Sequence, residues 1–80
     1  MPTVFRYAGF RFFFYSNEGD PLEPVHIHVM RDGHEAKFWV SPVRLSRSHG
    51  FDSRTLRQLA AIVEQNAARI TEAWHDHFRN

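Results

Sequence analysis

The 80 residues read as an α+β domain: an antiparallel sheet of four to five short strands packed on one long C-terminal helix. Three observations predict this. Two short β-rich runs flank Ala8-Gly9, two more flank Asp32-Gly33, and an apolar stripe recurs at three- and four-residue steps from residue 53 onward. The strands fill about 3–47 and the helix about 53–78, one domain over 1–80. A chain of this size buries only roughly 60% of the surface its unfolded form exposes, which leaves no room for a second core.

The first hairpin runs from Thr3 to Tyr7, turns at Ala8-Gly9 and returns from Phe10 to Tyr15. Gly9 supplies the positive φ of a tight turn. Ser16 to Pro24 is a loop by its Asn, Gly, Asp and Pro content. Val25 to Arg31 is the next strand, and Asp32-Gly33 writes the register of its return. Arg31 faces His34, Met30 faces Glu35, Val29 faces Ala36, His28 faces Lys37, Ile27 faces Phe38 and His26 faces Trp39. Val25, Ile27, Val29, Ala36, Phe38 and Val40 then share one face, and His26, His28, Met30, Glu35, Lys37 and Trp39 the other. A slip of one residue would mix the two sets. Pro42 marks a strand end, with a short edge strand expected over Val43 to Arg47.

Asp52 stands where an N-cap belongs. Leu56, Leu59, Ala60, Val63, Ala67, Ile70, Trp74 and Phe78 form the apolar stripe of an unbroken helix. At 1.5 Å per residue it would be roughly 39 Å long, twice a five-residue strand, and would overhang the sheet. One helix covers one face. The other is expected to present His26, His28, Lys37, Trp39, Phe13, Tyr15, Arg6 and Arg11 outward, a surface of the kind that binds partners.

Composition narrows the function. The chain has eight Phe, two Tyr, two Trp and no cysteine, so disulfides and thiolate metal sites are excluded. No run approaches the length of a membrane span and no basic segment leads into an apolar one, so a cytoplasmic protein with no membrane partner is expected. The net charge of +1 names no partner. Arg44, Arg47, Arg54 and Arg57 meet only Asp52 in their stretch, a patch suited to RNA or to an acidic protein, or simply a solvated surface.

His26-x-His28 is the sharpest chemical feature. Residues i and i+2 of a strand point the same way, so the two imidazoles project together, whereas His75 and His77 diverge on a helix. Three readings stay open. The pair is half of a divalent transition-metal site, completed by Glu18, Asp20, Glu23 or His34, although Lys37 opposite His28 would repel a cation. Or His26 and His28 are an acid–base pair on a phosphodiester, with Lys37 stabilising the anion and no metal needed. Or the imidazoles pack against Trp39 and Tyr15 in an interface.

The opening MPTVFRYAGFRFFFYSNEGDP, the EPVHIHV segment, EAKFWVSPVRL and the closing EAWHDHF resemble the Domain of Unknown Function 4160 family, small bacterial proteins with a strand His-x-His. Val25 stands where members commonly carry a second Pro. The resemblance implies a sheet with a C-terminal helix. It also implies a neighbour from the Domain of Unknown Function 2442 family, in pairs that look like toxin–antitoxin modules. The expected function is therefore a toxin-like component that binds a small antitoxin-like protein through Trp39, Tyr15, Phe13, Arg6 and Arg11. Nuclease-like chemistry at His26, His28 and Lys37 would be its possible activity. The alternatives are a metal-binding domain centred on His26 and His28, and a homodimer that hides its open face.

Overall fold

Both hairpin turns form as their residues dictate. Ala8 and Gly9 have φ of 51° and 82°, Asp32 and Gly33 of 51° and 79°. Positive φ at both central positions is the twist-matched two-residue hairpin. The computed structural model, which describes residues 2–18 and 23–78, carries five strands: β1 Thr3–Tyr7, β2 Phe10–Phe13, β3 His26–Arg31, β4 His34–Val40 and β5 Val43–His49. They form one antiparallel sheet in the order β1-β2-β3-β4-β5. The β3–β4 register is the one the Asp32-Gly33 turn specifies, from His26 opposite Trp39 to Arg31 opposite His34. β5 runs two residues past the expected Arg47, and β2 ends two before Tyr15.

The C-terminal segment is two helices, α1 Ser53–Gln65 and α2 Ala67–Phe78, and not the single long helix that the unbroken stripe predicts. Asn66 makes the break. Its side-chain Nδ2 donates to the Ile62 carbonyl at 2.8 Å, and its N–H lies 3.1 Å from both the Ile62 and Val63 carbonyls. An amide side chain that bonds to nearby backbone competes with helix continuation. The Asn66 carbonyl then accepts from the Ile70 N–H at 2.9 Å, restarting the helical pattern. At the other end, Asp52 caps α1 by accepting the Thr55 N–H at 2.8 Å.

The break removes the expected overhang. Leu59, Val63, Ile70 and Trp74 are all buried, against Phe5, Phe12, Phe14, Ile27, Val29, Phe38 and Val40. Trp74 meets Phe14 edge-on at 5.2 Å and Phe78 at 4.3 Å. The helices thus cover the apolar face of the sheet. On the histidine face lie Tyr15, Glu18 and Glu23, from the two ends of the segment joining β2 to β3.

Candidate metal centre

The face expected to stand open is sealed at its centre. His26, His28 and Phe13 have no exposed surface, and Lys37 retains 9%. The cause is the start of the β2–β3 connection, where Tyr15 and Glu18 fold back over the strands. After Phe14 the chain turns at Tyr15, whose N–H donates to Glu18 Oε1 at 3.0 Å, and the second oxygen of Glu18 is directed between the two imidazoles. Glu18 Oε2 lies 2.7 Å from His26 Nε2 and 2.5 Å from His28 Nε2. The three residues bring their ligand atoms within 4.8 Å of one another. Two imidazoles and a carboxylate are a donor set that zinc and non-haem iron centres use.

The second nitrogens of the two rings have different surroundings. His26 Nδ1 lies 3.0 Å from the Pro24 carbonyl. A carbonyl only accepts, so this nitrogen carries a proton, and Nε2 is turned towards Glu18. Nothing donates to that nitrogen, although it is fully buried. His28 Nδ1 is likewise buried and unpartnered, with Glu35 Oε2 3.3 Å away. Glu35 in turn accepts from the Tyr15 hydroxyl at 3.1 and 3.0 Å. A ligating imidazole whose far N–H is held by a carbonyl or carboxylate is the usual outer shell of a metal site.

The electrostatics favour a cation. Burial tends to raise the Glu18 carboxyl, but the His26 and His28 imidazoles and the Tyr15 N–H outweigh it and hold the group below its ordinary 4.5. Burial pushes His28 below its ordinary 6.5, outweighing the upward pull of Glu18. Burial and the Glu35 carboxylate raise the Tyr15 hydroxyl and keep it a donor. An ionised carboxylate and a neutral imidazole are the forms a metal requires. Glu18, Glu23 and Glu35 place three carboxylates around the pair against the one ammonium of Lys37.

Lys37 stands opposite His28 as its register requires. Its Nζ lies 3.6 Å from Glu23 and 4.5 Å over the Trp39 ring, so Glu23 matches its charge and the repulsion expected against a metal is reduced. Trp39 flanks His26 at 5.5 Å, while Tyr15 meets His28 at 4.5 Å and Phe13 stacks on it at 5.6 Å. Arg11 sits 4.3 Å over Phe13, on the ring that stacks on His28, and pairs across the hairpin with Arg6. His34 lies against Phe51 at the far end of β4 and joins no ligand set. Asp20 falls outside the described residues. His77 stacks on Phe14.

Two contributors escaped the sequence reading. Glu35 was legible as a neighbour, one same-face step along β4 from Lys37. Trp74, 4.8 Å from His26, was not, because only the tertiary fold brings α2 to that end of β3.

A family model described as Domain of unknown function (DUF4160) matches residues 9–75, and the chain belongs to that family. The match contains Glu18, His26, His28 and Glu35. No curated protein and no solved structure matches the chain.

Proposed function

We propose that this member of the family is a metal-binding domain that holds one divalent transition-metal ion on Glu18, His26 and His28. The observation that carries the reading is the pair of orphaned nitrogens. A metal on the Nε2 atoms of both rings gives the buried His26 Nε2 a partner. It also moves the His28 proton to Nδ1, where Glu35 Oε2 is placed to accept it. One ion satisfies both. Metal–ligand bonds of about 2.0–2.1 Å put tetrahedral ligand atoms about 3.3 Å apart. The Glu18 contacts of 2.7 and 2.5 Å are shorter, so the carboxylate has to draw back for an ion to enter.

Burial supports this over the acid–base alternative in the present conformation. An ion reaches nitrogens that a phosphodiester does not, since neither ring has exposed surface. Toxin-like activity through His26, His28 and Lys37 would require the β2–β3 connection to open first.

The test is metal content and titration on tag-free protein, with Zn²⁺ and Co²⁺ as probes after chelator treatment. We expect one equivalent per chain, strong thermal stabilisation, binding abolished by His26→Ala/His28→Ala and weakened by Glu18→Gln. A saturating ion at one hundred times its dissociation constant would add about 2.7 kcal/mol. Absence of binding at micromolar metal, or undiminished binding by the double variant, would refute the site.

A further inference from the structure

We infer that the free edge of β5 receives an acidic, extended segment of another protein as a sixth strand. The argument is independent of the metal reading. β5 closes the sheet order, so among the described residues one side of its seven-residue backbone has no neighbouring strand. All of its residues after Val43 are exposed. Such an edge is a template for strand addition, with main-chain bonds giving affinity and side-chain pockets giving choice.

Charge says what kind of strand fits. Lys37 pairs with Arg47 and Phe38 with Leu45, so Ser46 is an extra residue in β5. Without it, Arg44 and Arg47 would point to opposite faces. With it, Arg44, Arg47 and His49 stand opposite Trp39, Lys37 and Glu35, all on the face that carries the histidine pair. A bulge that re-aims a side chain is a designed feature of an edge. Here it puts Arg47 directly opposite Lys37, a like-charge pair that costs stability. Neither Arg44 nor Arg47 has an ion-pair partner among the described residues.

The three basic residues recur at two partner positions, about 6.8 Å, which is the same-face repeat of a strand. A segment with acidic residues at every second position would oppose each of them. Beside Arg44, a cleft of about 640 Å³ lined by Val25, Trp39, Pro42 and Leu45 offers room for one apolar side chain of the incoming segment. Leu45 is 45% exposed beside it. A second copy fits poorly, because two β5 strands would bring arginines against arginines. A nucleic acid would match the charge and leave the backbone edge unpaired.

The experiment uses the isotope-labelled full chain, titrated with an eight-residue peptide alternating Glu and Val. Three other probes are run beside it: its Lys-Val twin, the Glu-Val peptide N-methylated at alternate residues, and oligouridylate. We expect the Glu-Val peptide to shift and protect the amides of Val43 to His49, and the other three to bind at least about tenfold more weakly. Arg44→Glu/Arg47→Glu should reverse the preference to the Lys-Val peptide, and unshifted core amides would show that the variant still folds. Four outcomes would overturn the inference: no Glu-Val binding at millimolar peptide, equal binding of the N-methylated peptide, tighter binding of the oligouridylate, or β5 protection arising only from self-association.

Discussion

At the scale of single residues, the centre is a carboxylate between two imidazoles whose proton positions are set by their outer partners. The metal-free state carries a pH signature. His28 is held below 6.5 by burial, so the unfolded chain binds its proton more readily, and the stability linked to it is present above 6.5 and declines as pH falls below that value. Glu18 is held below 4.5 by its neighbours against its own burial, so its contribution is present above 4.5 and is lost as pH falls through its lower folded value. Chelator-treated protein should therefore lose melting temperature in two stages on acidification, one below 6.5 and one below 4.5. Glu18→Gln should lack the second. A flat profile from pH 7 to 4.5 would show that His28 does not sense its own desolvation.

At the scale of elements, turn chemistry and capping account for most of what forms. Asp32-Gly33 is a strong two-residue hairpin signal, and the register that follows from it is the one observed. Ala8 occupies the equivalent first position of the β1–β2 turn with φ 51°, where an alanine is strained and an asparagine is not. Ala8→Asn should raise stability by about 0.5–1 kcal/mol, a gain of several degrees for a domain this small, read in a melting curve. The helix break was not legible in the same way. Asn66 is neither Pro nor Gly, and the apolar stripe runs straight through it. Its amide decides the matter locally, and the buried ends of the stripe at Leu59 and Trp74 decide it globally.

Across the whole molecule, Trp74 ties the two faces together. It belongs to the apolar core with Phe14 and Ile70, and its ring also lies 4.8 Å from His26. Truncating a buried tryptophan costs about 3–5 kcal/mol, a large share of the stability of a small domain. Trp74→Ala should lower the melting temperature by roughly 15 °C or more, by the usual scaling for domains of this length. Far-ultraviolet dichroism and a metal-release signal should fall together, because helix layer and centre form one cooperative unit. Separate transitions would mean that the site survives without its helices.

The sequence by itself determined the α+β class, the two hairpins, the β3–β4 register, the cap at Asp52 and the common direction of His26 and His28. Each of these rests on local steric or period-two rules that act within a few residues. It also named Glu18 among several acids able to complete a ligand set, without choosing it. Tertiary structure brought Glu18 between the two imidazoles, because which side chain of a loop reaches a strand pair depends on where the loop closes. It also buried the face expected to be open, broke the helix at Asn66 and brought Trp74 to His26. Those outcomes come from how little core 80 residues can make: the chain lays Tyr15 and Glu18 over the sheet and breaks its helix so that both halves bury apolar side chains.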